Sequence, residues 1–385
     1  MIDTHRDQGT ASLVLRRGAV CTVVCLSLLA VPQAAVGCPF CDAVAPTLRQ
    51  EIGGADAGCL GIAVPAVEER ASGRVEVRIT QILKGADGRE QGAVVEAEPT
   101  SPITVGQRCL LLGRGENPRR WQADPIGDRL EVYLVAVCAA DGELARLRHC
   151  FPFLEDADAA IAEDAYGEFA GASYNSVRQL AQELDHDELV VRVRDVTASP
   201  SRRRLSLTLL GGCGDQSDLP LLVSMLRDRE QRREGLDALV ACYLSVAGEA
   251  GLPLIEQEFL ANPEASLSEL SQAIAAIRFL GTEATELSRT TLASALAHVL
   301  SRPAVADLVI ADLARWKDWT QVDRLVAVFE ESKPDDRLLR VAIVHYLQAC
   351  PTEQGHEALR YVHEIDPDSV QRASQFFAPA RAKAK

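Results

Sequence analysis

Leu209-Leu210-Gly211-Gly212-Cys213-Gly214-Asp215-Gln216-Ser217-Asp218-Leu219-Pro220-Leu221-Leu222, running on to Leu226-Arg227-Asp228, decides the architecture of this chain. An apolar helix ends at Gly-Asp. A second opens at Asp218 with Pro220 in its first turn, where the missing N–H has no helical partner to lose. The same unit recurs. Helix candidates begin near Asp156, Tyr174, Ser201, Asp218, Arg232, Leu252, Ser266, Ser288, Pro303, Thr320, Asp335, Thr352 and Asp366, several of them with Ser, Thr or Asp caps. The starts at 201, 232, 266, 303 and 335 are 31, 34, 37 and 32 residues apart, and each interval holds two helices. One such pair cannot bury its own apolar face, so a repeat of about 30–40 residues predicts an α-solenoid over 154–377.

Upstream the period changes. Val75-Glu76-Val77-Arg78-Ile79-Thr80 alternates with period two, and Lys84-Gly85-Ala86-Asp87-Gly88 is a turn cluster. Ala93 to Ala97, Cys109 to Leu112 and Leu130 to Val137 are further β-rich runs, with Trp121 between the last two. Some five strands predict a small barrel or sandwich over 38–153, in which only Ala43 to Ile52 reads as helix. The expected class is therefore α+β and multidomain: a disulfide-bonded β domain, an all-α solenoid, and a flexible basic tail at 378–385.

The first 37 residues read as a secretory leader. Arg16-Arg17 precedes the apolar run Ala19 to Val31, followed by Pro32 and the small residues Ala34, Ala35 and Gly37. Cleavage after Gly37 would leave Cys38 at the N-terminus and place the protein in the periplasm or outside the cell. Ala35-Val36-Gly37-Cys38 also carries the small-residue step of a lipoprotein signal, which would put a lipid anchor on Cys38. No later apolar run reads as a membrane span. A net charge of -15 argues against nucleic acid as partner, because backbone phosphates call for clustered Lys and Arg.

The cysteines are uneven. Cys21 and Cys25 leave with the leader, and Cys38, Cys41, Cys59, Cys109, Cys138 and Cys150 all precede residue 151. In an oxidising compartment such a set predicts up to three disulfides in any of about fifteen connectivities. Cys213, Cys242 and Cys350 sit singly in helical patterns, as small buried hydrophobes do.

The unit at 209–228 resembles a HEAT-type repeat. The whole layout is similar to a group of exported bacterial proteins that share a Cys-Pro-Phe-Cys start, a small β domain and a segment like Ala306 to Trp319. That resemblance implies no activity. Lys84-Gly85 and the Gly106 to Leu112 strand resemble netrin-like OB barrels, a family that includes metalloprotease inhibitors with a zinc-chelating N-terminal cysteine. Those begin Cys-x-Cys where this chain has Cys38-Pro39-Phe40-Cys41.

Cys38 and Cys41 could serve as structural disulfide partners, a thiol-exchange pair, metal ligands or, at Cys38, a lipid site. His356 and His363 stand two turns apart, about 10 Å along a helix, too far to share one metal. Asp185-His186-Asp187-Glu188 falls at a helix junction, where Asp caps are expected. Trp316 and Trp319 flank a turn and either fill the gap between repeats or anchor a partner. No phosphate loop, nucleophile elbow or triad spacing is visible, and no metal or cofactor is expected. The sequence therefore predicts an exported, non-enzymatic scaffold that holds a basic or neutral protein. The alternatives are thiol-redox or metal handling through Cys38 and Cys41, or inhibitor or ligand binding by the β domain.

Overall fold

A computed structural model of the chain describes residues 45–376, apart from 67–72, 86–88, 116–119, 231–233 and 285–286. The leader, Cys38, Cys41 and the 378–385 tail lie outside the described residues. The chain opens with helix α1 (Leu48–Gly54), whose N-cap Thr47 forms a reciprocal capping box with Gln50. Five strands follow: β1 (Ala57–Val64), β2 (Val75–Lys84), β3 (Val94–Pro99), β4 (Arg108–Arg114) and β5 (Arg120–Pro125). They close in the order β1-β2-β3-β5-β4, with β4 paired to β1 and only β3 and β5 parallel, an OB-like arrangement. Alternate residues fill the barrel: Cys59, Val77, Ile79, Ala97, Cys109, Leu111 and Ala123 are buried together. Gly61 is required by close approach, since a Cβ there would lie 2.6 Å from Val77 Cγ1 and 2.8 Å from Arg78 O.

Two expectations are corrected here. The fifth strand is Arg120–Pro125, around Trp121. Leu130 to Val137, expected as strand, instead lies in helix α2 (Asp128–Ala139). The physical reason is that α2 is buried on two sides. Leu130, Tyr133 and Val137 join the helical core, while Leu134, Val135 and Cys138 pack on a smaller cluster with Leu60, Leu110 and Leu112 of the barrel. Helical spacing serves both faces at once, and packing overrides the β propensity of Val and Tyr.

Helices then run to the end of the described chain: α3 (Glu143–Cys150), α4 (Ala159–Ala170), α5 (Tyr174–Ala181), α6 (His186–Arg194), α7 (Pro200–Cys213), α8 (Leu219–Arg227), α9 (Leu236–Ala247), α10 (Leu252–Ile255), α11 (Leu267–Thr282), α12 (Arg289–Ala297), α13 (Asp307–Arg315), α14 (Val322–Glu331), α15 (Arg337–Ala349), α16 (Glu353–Ile365) and α17 (Pro367–Phe376). Ser173, Asp185, Ser199, Ser266 and Thr352 accept the N-cap bonds that their positions predict. Alternate helices touch in succession: α3 on α5, α5 on α7, α7 on α9, α9 on α11, and so on to α15 on α17. Polar ties span the same interval. Arg148–Glu183, His186–Asp218, Arg204–Asp237 and Arg278–Asp312 join residues 35, 32, 33 and 34 positions apart. One continuous core runs through this part, from Leu130 to Ala373.

Contrary to the sequence reading, Leu236–Leu260 is by length and composition apolar enough to cross a membrane. The structure breaks that run at Gly248, whose φ of +64° suits glycine, and buries Leu239, Leu244, Ile255 and Phe259 in the helical core. Its apolarity is that of a core helix.

The expected disulfides are absent among the described cysteines. Cys59 faces Leu111 and Cys109 faces Gly61, so the two barrel cysteines stand on a diagonal. Diagonal neighbours are about 7–8 Å apart, beyond ordinary disulfide reach. Cys138 packs in the small cluster beneath α2, and Cys150 in the helical core. The four thiols thus fall into three separate environments.

Candidate functional site

A buried polar cluster ties α1 to the helical body. Ile52 of α1 lies over Gly58, where a Cβ would come within 2.7 Å of its side chain. At the C-terminal end of α1, Lys84 Nζ donates to the carbonyls of Gly53 (2.5 Å) and Ala55 (2.6 Å), a cation where the helix dipole favours one. At the N-terminal end the Leu48 N–H donates to Asp164 Oδ1 at 2.7 Å, and the Thr47 hydroxyl donates to Glu168. Glu168 also accepts from Arg49 at 3.1 Å and forms an ion pair with Arg146 at 2.6 Å, so its buried charge is matched from two sides. The Tyr133 hydroxyl donates to Asp164 Oδ2 at 2.9 Å.

Beside this cluster lies a cleft of about 590 Å³, lined by Glu51, Asp124, Glu163, Asp164 and the apolar side chains of Leu110, Ile126 and Leu130. Among the described residues no Lys or Arg lines it, and Arg114 acts on Glu51 only through its field. Burial raises the Glu51 carboxyl above its ordinary value, and Asp124 and Asp164 push it the same way. Burial likewise raises Asp164. The cleft is therefore a place where added positive charge would be favoured. Its carboxylates escaped the sequence reading, although Asp164 and Glu168, at i and i+4 inside the apolar run Ile161 to Phe169, are the kind of interruption that marks a buried polar pair.

The residues singled out from sequence are dispersed. Cys38 and Cys41 lie outside the described residues. Burial pushes the Cys109 thiol up to about 11 and the Cys150 thiol up to about 12, and it raises Cys138 as well. A thiol in that range is a poor nucleophile at neutral pH. Trp316 fills the notch above Gly281, where a Cβ would lie 2.8 Å from its Cη2, and Trp319 meets Tyr346 edge-on at 5.2 Å. Both tryptophans pack against the helical core. His356 and His363 are exposed on α16. Asp185 caps α6, and His186 Nε2 lies 2.9 Å from Asp218. Among the described residues no group of three or more His, Cys, Asp or Glu is placed to hold a metal.

No protein-family model matches the chain, and no curated protein sequence is significantly similar to it.

Proposed function

We propose that the chain is an exported, non-enzymatic scaffold. Its helices over 154–377 form a HEAT-like solenoid, and the OB-like barrel is fixed at the N-terminal end. The observation that carries this reading is the relay of alternate helices from α3 to α17, each touching the next, with polar ties one repeat apart. A stack of that kind offers a long surface for another protein without needing reactive residues. The carboxylate-lined junction cleft and the net charge of -15 favour a basic partner segment. Export rests on the charged, apolar and small-residue order of residues 1–37.

Two measurements test this. Small-angle scattering of the chain from Cys38 should give a radius of gyration above the ~20 Å of a compact chain of that length. A fluorescent alternating Lys-Ala peptide should bind, and an alternating Glu-Ala peptide should not. Binding should weaken several-fold in the Glu51→Gln, Asp124→Asn double variant and fall with added salt. A compact scattering profile would remove the solenoid. Indifference to peptide charge would remove the basic partner.

A further inference from the structure

A second cleft, of about 510 Å³, lies where α4, α6 and α7 meet and shares only Glu163 with the junction cleft. Most charges that line it are already engaged. Asp156 takes Arg129 and the Asp158 N–H. Asp195 accepts the Thr197 N–H at 2.8 Å and its hydroxyl at 2.6 Å. Arg192 bridges Glu188 at 2.8 Å, approaches Glu155 at 3.8 Å and stacks on Phe151.

Arg202 and Glu163 feel each other's charge but make no direct ion pair. Arg202 donates from Nη2 to Ala162 O at 2.8 Å and stacks 4.8 Å over Tyr166, yet its Nη1 is buried with no hydrogen-bond partner. It enters no ion pair among the described residues, and neither does the exposed Glu163. Arg202 also stands in the first turn of a 14-residue helix whose first turn carries no acidic side chain. A cation is unfavourable there, because the helix dipole is positive at that end. A buried guanidinium N–H without a partner adds a desolvation penalty. Burial lowers the Arg202 pKa by more than the fields of Glu155 and Glu163, which carry no direct ion pair to it, raise it. A bridging water would satisfy Nη1 without the direct ion pair that a ligand carboxylate would add.

We propose that this cleft binds a small zwitterion, its carboxylate on Arg202 Nη1 and its ammonium toward Glu163. A simple anion fits less well, because Glu155 and Glu163 face the same space. A simple cation would leave Arg202 as it stands. Ser199 and Ser206 also line the cleft and add hydroxyls to the wall. The site goes beyond the scaffold reading and does not depend on it.

Titration calorimetry of the full chain tests the assignment. The probes are glycine, β-alanine, 4-aminobutyrate and 6-aminohexanoate, zwitterions of growing span, with acetate and methylammonium as single-charge controls. At least one zwitterion should bind more tightly than either control. Arg202→Gln should weaken it by about 10–100-fold, the loss expected for a charge-assisted hydrogen bond. Arg202→Lys keeps the charge without the planar fork and should fall between. Glu163→Gln changes an exposed side chain, so it should leave the melting temperature alone and narrow the gap between zwitterion and acetate. The proposal is overturned if no zwitterion binds the unaltered chain at millimolar concentration, if acetate binds as well as the best zwitterion, or if Glu163→Gln leaves the preference intact.

Discussion

In the barrel, the inward-facing residues of five strands meet around one axis, whereas in the helical body one core runs from Leu130 to Ala373 through successive neighbours. Every strand of the barrel depends on closure: β1 pairs with both β2 and β4, and losing either edge opens the sheet. A helix such as α15 depends mainly on α13, α14, α16 and α17. The difference teaches where a defect should travel. A hole in the barrel weakens all five strands, and a hole among the helices weakens its neighbours first.

The largest effect expected from that contrast comes from cavities. Phe329→Ala, at a fully buried position on α14, should cost about 3–5 kcal/mol. Hydrogen exchange should quicken through α13 to α17 while the barrel strands keep their protection. Leu111→Ala, equally buried on β4, should cost about 2–5 kcal/mol and quicken all five strands together. If Phe329→Ala loosened the barrel as much as its own neighbours, the contrast would break. The shared helix α2 would then have to be coupling the two parts into one cooperative unit.

A smaller effect separates two glycines that look alike in sequence. Gly61→Ala and Gly281→Ala each overpack, at about 1–3 kcal/mol. At Gly281 the added methyl meets the Trp316 ring, and at Gly61 it meets Val77 and the backbone oxygen of Arg78. Trp316→Phe should therefore rescue much of Gly281→Ala in denaturant melts. Val77→Ala should rescue little of Gly61→Ala, because the Arg78 carbonyl cannot move without breaking the ladder.

How much of this was legible follows the same contrast. Helix pairs announce themselves through caps and turns, and Ser173, Ser199, Ser266 and Thr352 all do in the structure what their positions suggest. Strand alternation was equally plain at Val75, Val77 and Ile79. What failed was anything that depends on two parts at once. Helix α2 hides its period because both of its sides are apolar, and β5 hides because Arg120, Gln122 and Asp124 leave only Trp121 and Ala123 as inward residues. Pairing among the four described cysteines of the N-terminal part was inferred from count, and count says nothing about the diagonal register that keeps Cys59 from Cys109. Asp164 and Glu168 are read as a site only once α1 is seen lying across them.

Asp312 offers a polar test of comparable size. It is fully buried and receives Arg278 on both oxygens at 3.0 Å and Arg315 at 2.8 Å, joining α11 to α13. Asp312→Asn keeps the shape but removes the charge. Both arginines are about half exposed and can rehydrate, so the expected loss is about 1–3 kcal/mol rather than that of a fully buried pair. A loss below about 0.5 kcal/mol in urea melts would show that the tie between α11 and α13 directs the packing without stabilising it.

The smallest effect is a pH slope confined to the helical body. There is no histidine between residues 45 and 125, while α6 carries His186, hydrogen-bonded to Asp218, 32 residues further on. Asp218 raises the His186 pKa above its ordinary value of 6.5, chiefly through that hydrogen bond; desolvation opposes the shift, and Asp187 adds to it. A folded-state pKa above the unfolded one means that the contribution is fully present below about pH 6.5 and is lost as pH rises through the folded value. The His186 side chain is 36 % exposed, so water screens the pair and the contribution should be about 0.2–1 kcal/mol. Urea melts between pH 6 and 8.5 should show stability falling with pH, and both His186→Gln and Asp218→Asn should flatten that slope. The barrel thiol of Cys109, pushed up to about 11, lies outside this window. A slope that survived His186→Gln would have to come from another group, such as a second histidine of the helical body or the raised carboxyls of Glu51 and Asp164. The contact between α6 and the start of α8 would then no longer be the place where this molecule senses pH.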